Sequence, residues 1–199
     1  MACDLFEEGI KALGLGVNQE QIRVLAGARF YFQKSRKVRQ SYSEEICDLA
    51  VQLVSQCQRI QGDEVDPDEL SLLQETEGID PGEAVLIAGT KNETNFYLIS
   101  GDKRCLRALV LGKNLETVRE RLRGKVICLE QIILQLIEVK GFDFVLSKVL
   151  PARGCDTALR AIFGSGERAT KDNVIRAIKG YIRDLQEESK GLLITLGNK

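Results

Sequence analysis

The stretch DPGEAVLIAGTKNETNFYLISGDKRCLRALVL, from Asp80 to Leu111, decides the order of elements in the middle of this chain. Its opening DPGE matches a helix start, with aspartate as N-cap, proline at the first helical position and glutamate closing a capping box. The apolar run 84–88 predicts a buried helix, and the aromatic and β-branched run 96–99 predicts a strand. A second helix opens at Asp102. Helix, strand and helix in so few residues predict a parallel sheet.

The lengths of these elements bring two carboxylates to one edge of the sheet. The helix of a crossover runs opposite to the strands, so Glu83 at the helix start and Asp102 after the strand both lie where strands end. About nine helical residues descend about 13 Å, and about five strand residues climb about 16 Å. Open α/β sheets bind ligands at this edge. Because two carboxylates repel each other unless a proton or cation lies there, Mg²⁺ or Mn²⁺ is the expected cofactor.

Both residues also have a purely structural interpretation. Glu83 alone closes a capping box, and Asp102 alone is a good N-cap. A further buried strand is predicted over 125–129, and Glu130 follows it before a helix over 131–140. Glu130 is therefore a third candidate metal ligand on the same edge, although the helix dipole by itself favours a glutamate there.

The composition narrows the chemistry. The chain of 199 residues contains no histidine, which excludes Ser-His-Asp and Cys-His catalysis and histidine zinc sites. Metal-assisted hydrolysis by Asp and Glu is the class that remains best supported. The six cysteines form no CxxC pair, so free thiols are expected. No long apolar run or signal peptide is recognisable, which predicts a cytoplasmic protein without a membrane partner.

The central stretch resembles the PIN-domain family. The resemblance rests on Gly82-Glu83 opening an apolar helix, then a strand, then Ser100-Gly101-Asp102-Lys103-Arg104 opening a helix that carries Arg107. Members are typically metal-dependent ribonucleases on a three-layer α/β/α fold, and many are toxins of bacterial toxin–antitoxin pairs. The resemblance implies that Glu83 and Asp102 hold Mg²⁺ or Mn²⁺, and that an antitoxin or other protein partner exists.

The family pattern is incomplete at the amino terminus. A PIN domain opens with a hydrophobic strand that ends in an aspartate, whereas no apolar run precedes Asp4. Either the first strand lies upstream of Met1 or the site lacks this ligand, and the sequence leaves both alternatives open.

Two basic stretches are candidate RNA contacts, because the net charge of −1 requires any nucleic-acid surface to be local. Lys103, Arg104 and Arg107 follow the proposed metal ligand, where a phosphodiester would need its charge neutralised. The residues 29–39 interleave aromatic and basic side chains, which suits stacking on bases. The alternative for 29–39 is a strand followed by a solvated basic turn.

The chain is therefore predicted to hold a PIN-like α/β domain over 1–150, with a central parallel sheet, and a helical extension over 151–199. The expected function is Mg²⁺- or Mn²⁺-dependent hydrolysis of RNA, with Glu83 and Asp102 catalytic. One alternative is an inactive PIN-like module that binds nucleic acid or protein, and another is a plain α/β interaction protein whose central motif is only two well-capped helices. The oligomeric state is left open.

Overall fold

The computed structural model describes residues 4–16 and 19–195. Their α-helices are α1 (Asp4–Ala12), α2 (Ala28–Lys34), α3 (Arg36–Ser41), α4 (Glu44–Gln56), α5 (Pro67–Gln74), α6 (Pro81–Ala88), α7 (Lys103–Leu111), α8 (Glu116–Leu122), α9 (Leu129–Lys140), α10 (Phe142–Val149), α11 (Thr157–Ile162) and α12 (Lys171–Glu188). The strands are β1 (Arg23–Val24), β2 (Gln58–Arg59), β3 (Leu98–Ile99) and β4 (Val126–Ile127). Short 3-10 helices cover Gln19–Gln21, Gly62–Glu64, Leu150–Cys155 and Gly166–Arg168. None of the helices in the described part is both long and apolar enough to cross a membrane.

The strands pair in parallel. β1 pairs with β2, and β3 pairs with β4 in the register Leu98↔Val126. The chain is thus a mixed α/β protein, as predicted, but it is mostly helical, and the described strands form two separate two-stranded sheets. The segment after α12 returns to β4, where Leu193 bridges Val126 and the Ile194 N–H donates to the Val126 carbonyl at 2.8 Å.

The central motif folds locally as its sequence predicts. The Asp80 carboxylate accepts from the Glu83 N–H at 2.8 Å, and the Glu83 carboxylate accepts from the Asp80 N–H at 3.0 Å. This reciprocal capping box satisfies two amide donors that have no partner inside α6. The Asp102 carboxylate caps α7 by accepting from the Arg104 and Cys105 N–H groups, and its own N–H donates to the Ser100 hydroxyl at 3.1 Å. The strand between the two helices, β3, is shorter than the predicted span 96–99.

Buried side chains form two clusters. The first surrounds α6, α7 and α8 and includes Leu185, Leu192 and Leu193 from the end of the chain. The second joins α1, α9, α10 and α11 to the first half of α12. Residues beyond 150 therefore contribute to both clusters. The boundary between a domain over 1–150 and an extension over 151–199 stays a prediction.

The amino-terminal half departs from the sequence-based expectations at one point. The alternative of a strand within 29–39 is wrong, because these residues form α2 and α3. The hydroxyl of Ser35 accepts from the Val38 N–H at 3.4 Å and so separates the two helices with a local cap. Asp4 is the first residue of α1, so it opens a helix and does not end a strand.

Candidate metal and RNA site

The predicted ligands Glu83 and Asp102 lie near each other, the first at the start of α6 and the second between β3 and α7, and we call the region around them the carboxylate edge. Burial raises the pKa of the Glu83 carboxyl above its usual value, and the charges of Asp102 and Asp80 raise it further, against the lowering effect of the Asp80 backbone hydrogen bond. Asp102 acts on this pKa because its carboxylate lies within electrostatic range of Glu83. The two carboxylates therefore lie close together, and their place at the edge where strands end stays a prediction.

Both carboxylates also cap helices, so the structural interpretation of each is true as well. The Oδ1 atom of Asp102 accepts from the backbone N–H groups of Arg104 and Cys105, at 2.8 and 3.2 Å. Glu83 uses Oε2 for its capping box. The other oxygen of each carboxylate takes no part in these caps. Oδ2 of Asp102 accepts a hydrogen bond from the Arg104 guanidinium at 3.3 Å.

The thiol of Cys105 lies against Glu83. Burial raises the pKa of Cys105, and the Glu83 and Asp102 charges raise it further. The thiol therefore stays protonated at neutral pH and donates to the Glu83 carboxylate. Cys105 is thus a hydrogen-bond donor at this edge and not a nucleophile.

The third predicted ligand, Glu130, is buried at the start of α9 and paired with a lysine. The Lys103 Nζ lies 2.5 Å from its Oε1 atom, and the same ammonium stands 4.8 Å from the centre of the Tyr181 ring. The other oxygen, Oε2, receives no N–H or O–H hydrogen bond from the described residues, and the Cys128 thiol, a weak donor, interacts with this carboxylate. Glu130 is thus connected to the carboxylate edge by its ion pair with Lys103, the residue that follows Asp102.

No group of three or more Asp, Glu or Cys side chains close enough to hold a metal occurs in the described part of the chain. The two carboxylates that do meet, Glu83 and Asp102, still fit Mg²⁺, because this ion keeps several waters and is commonly held by one or two carboxylates together with substrate phosphates.

The three predicted RNA-contact residues have different surroundings. Arg104 is exposed over 66% of its side chain, beside Asp102. Lys103 is engaged by Glu130 and Tyr181. Arg107 is tied to Glu188 of α12 by two contacts of 2.7 and 2.8 Å. Arg104 is therefore the most exposed of the three, at 66% against 51% for Arg107 and 25% for Lys103, and its partner is the candidate ligand Asp102.

A cleft of about 460 Å³ opens beside Asp102. One wall is the segment 101–104, and the other is the start of α11, with Asp156, Thr157 and Ala158. The Asp156 carboxylate accepts from the Leu159 N–H at 2.8 Å and caps α11. Asp156 could not be predicted from the sequence, because nothing in its local pattern indicates that it lines a cleft with Asp102, more than fifty positions earlier.

No protein-family model, curated protein or solved structure matches this chain. The chemistry of the carboxylate edge is therefore inferred from its own geometry.

Proposed function

We propose that this chain is a Mg²⁺- or Mn²⁺-dependent ribonuclease that hydrolyses RNA phosphodiester bonds on a PIN-like three-layer α/β/α arrangement. The observation that carries the proposal is the placement of the Glu83 and Asp102 carboxylates around Cys105, whose thiol donates to Glu83 and whose backbone N–H donates to Asp102 at 3.2 Å. Carboxylates pushed together at the ligand-binding edge of parallel strands are the arrangement that a divalent cation relieves.

Glu83 and Asp102 would hold the ion, each through the oxygen outside its cap. When bound, Mg²⁺ or Mn²⁺ supplies Lewis-acid polarisation of the phosphoryl group and lowers the pKa of a coordinated water. The caps fix both carboxylates to the backbone of α6 and α7, so that neither has to be immobilised on binding. The buried Glu130 keeps one oxygen unengaged by N–H or O–H donors, and its role as a third ligand stays a prediction.

The cationic side chains have separate tasks in this proposal. Arg104 is exposed next to Asp102, where its guanidinium can pair with a phosphate of the incoming strand. Lys103 neutralises the buried Glu130 and fixes the start of α7 against α9. Lys103 would therefore position the site, and Arg104 would contact RNA.

The direct test is cleavage of a single-stranded RNA by the purified chain with and without Mn²⁺ or Mg²⁺. Glu83→Gln and Asp102→Asn should each abolish cleavage while they keep their helix caps, since glutamine and asparagine serve in the same cap positions. The chain offers matched controls. Glu64→Gln changes the same position of another capping box, and Asp66→Asn changes the N-cap of α5, so both should cleave normally. Cleavage that persists in chelator would refute the proposal.

A second readout does not depend on activity. A cation that binds only the folded chain stabilises it by about 2.7 kcal/mol at a hundredfold excess over its Kd. For a chain of this size Mn²⁺ should raise the melting temperature by about 5–10 °C, at about 2–4 °C per kcal/mol. Asp102→Asn should remove much of the shift, and Asp66→Asn should keep it. A melting temperature indifferent to millimolar Mn²⁺ and Mg²⁺ would remove the metal from the proposal.

The inactive binding module is the second candidate, and one observation favours it. Glu83, Asp102 and Glu130 all have structural partners inside the chain, in a capping box, an N-cap and an ion pair. Such a module would bind RNA or a protein without cleaving RNA. RNA binding that survives in chelator, together with no cleavage and no Mn²⁺-induced shift, would establish this candidate over the enzyme.

A further inference from the structure

Helix α2 presents an aromatic surface to solvent. It has no buried residue, and its side chains Phe30 and Tyr31 are 63% and 53% exposed. Lys34 lies between them on the same face, since residues three and four apart are neighbours on a helix. Isolated exposed apolar side chains are normal, but two neighbouring aromatics with a lysine on one helical face are a feature that needs a partner.

The charges carried by α2 and α3 themselves are of one sign. No acidic residue occurs from 21 to 43, whereas Arg29, Lys34 and Arg36 are all exposed there. Within the part of the chain that the structure describes, these three side chains form no ion pair, while Arg39 pairs with Glu44 at 3.8 Å. The α2–α3 surface, defined as Arg29, Phe30, Tyr31, Lys34 and Arg36, therefore keeps its charge available to an anionic partner.

We propose that the α2–α3 surface binds single-stranded RNA, with Phe30 and Tyr31 stacking on bases and the three cations pairing with phosphates. This inference rests on the proposed function, because it names the form of RNA that the same chain holds. Charge complementarity favours a polyanion. Stacking on an exposed aromatic ring requires bases that are not already paired, which favours a single strand.

The surface lies near the carboxylate edge. The Leu25 Cδ1 atom lies 3.0 Å from the point where a Cβ on Gly82 would stand, one residue before Glu83. Phe30 is five residues beyond Leu25, which is at most about 18 Å of chain. About five stacked nucleotides span this distance at 3.4 Å each. One strand can therefore contact both places.

The test is the affinity of the full chain for a labelled single-stranded uridine oligomer of about ten nucleotides, measured by fluorescence anisotropy in chelator. The Phe30→Ala/Tyr31→Ala double variant should raise the Kd about 5- to 150-fold for each base that loses its stacking partner. Phe30→Tyr and Tyr31→Phe should bind normally, because each keeps an aromatic face. Leu111→Ala, which truncates a side chain that is 79% exposed on α7, is the matched control and should also bind normally.

The charges are tested by the salt dependence of the same Kd. Lys34→Ala and Arg36→Ala should each lower the slope of log K against log salt by about 0.7, the value for one phosphate contact on a single strand. The melting temperature of each charge variant should equal that of the parent, because these side chains are exposed. That of the double aromatic variant should fall only slightly, since Tyr31 also packs edge-on against Phe32 with ring centres 5.7 Å apart. A double variant that melts normally and binds RNA as tightly as the parent overturns the proposal. An altered self-association with unchanged RNA affinity also overturns it, in favour of a protein interface.

Chelator separates this inference from the ribonuclease proposal, because no metal-dependent step occurs during the measurement. If the double variant loses RNA affinity and the parent never cleaves RNA with Mn²⁺, the RNA-binding proposal is supported and the ribonuclease proposal is wrong. If the parent cleaves RNA with Mn²⁺ and the double variant binds RNA normally, the ribonuclease proposal is supported and the RNA-binding proposal is wrong.

Discussion

Two basic regions of this chain look alike in sequence and differ in the folded protein. The first, residues 103–125, follows Asp102, and the second is the α2–α3 surface. In the first region most cations pair with carboxylates of the same chain, some of them buried and some exposed: Lys103 pairs with Glu130, Arg107 with Glu188, Arg119 with Glu116, Arg121 with Glu69, and Arg123 with Glu120. In the second, Arg29, Lys34 and Arg36 make no such pair among the described residues.

The number of basic residues in a stretch of sequence does not measure the charge that the stretch presents to solvent. A guanidinium buried against a carboxylate contributes to folding and is not available to a polyanionic ligand. An exposed guanidinium contributes little to folding and remains available for phosphate. The following predictions test this division, beginning with the largest expected effect.

Breaking the Arg121–Glu69 pair should give the largest effect. Both side chains are mostly buried, and Arg121 also donates to the Thr90 hydroxyl at 3.0 Å. Arg121→Ala leaves the Glu69 charge buried without its partner and should destabilise the fold by about 3–5 kcal/mol. Thermal melting should show a fall of about 6–20 °C, at about 2–4 °C per kcal/mol. Arg36→Ala is the control and should stay within about 0.5 kcal/mol. Equal melting temperatures for the two variants would contradict the division.

Lys103→Ala should have the next largest effect, because Glu130 would lose the ammonium that faces it in the interior. Lys103 is itself partly exposed, so the expected loss is smaller, about 1–3 kcal/mol. The Lys103→Met/Glu130→Gln double variant, which removes both charges, should recover most of that stability in urea unfolding. If Lys103→Ala were as stable as the parent, the ion pair of Lys103 with Glu130 would contribute nothing to folding, and Lys103 would be as available to a ligand as the cations of the α2–α3 surface.

Substitutions of Arg104 and of Arg107 should have different effects on RNA binding. Arg104 is exposed beside Asp102, whereas Arg107 is held by Glu188. In chelator, Arg104→Ala should lower the salt slope of RNA binding by about 0.7, and Arg107→Ala should leave it nearly unchanged. The reverse order would mean that the contact with Glu188 opens when RNA binds.

The smallest effect concerns the pH dependence of Glu83. Its folded-state pKa is raised, so the folded chain holds this proton more tightly than the unfolded chain does. Protonation of Glu83 therefore stabilises the folded chain fully below the usual pKa of 4.5. This stabilisation is lost as the pH rises through the raised pKa of the folded state. Without divalent cation, Glu83→Gln should melt at a higher temperature than the parent at neutral pH, because glutamine keeps the capping box and cannot ionise.

The difference between these two melting temperatures should shrink as the pH falls toward 4.5 and vanish below it. A Glu83→Gln variant less stable than the parent at neutral pH would mean that the carboxylate gains more from its cap than it loses from burial and from the Asp102 charge.

Local sequence signals account for the parts of the fold that are confirmed. The DPGE start of α6, the cap of α7 by Asp102 and the parallel pairing of β3 with β4 depend on residues close in sequence and on the geometry of a crossover. The alternative of a strand within 29–39 failed because aromatic side chains favour strands only where a neighbouring strand covers them. Here Phe30 and Tyr31 face solvent from a helix.

Residue type and local spacing are enough to predict the helix caps at Asp80, Glu83 and Asp102 and to exclude histidine chemistry. Which charges remain available depends on contacts between distant parts of the chain. The partners Arg121 and Glu69 are 52 residues apart, and Arg107 and Glu188 are 81 apart. The physical reason is that an ion pair depends on distance in space, which periodicity along the chain does not encode.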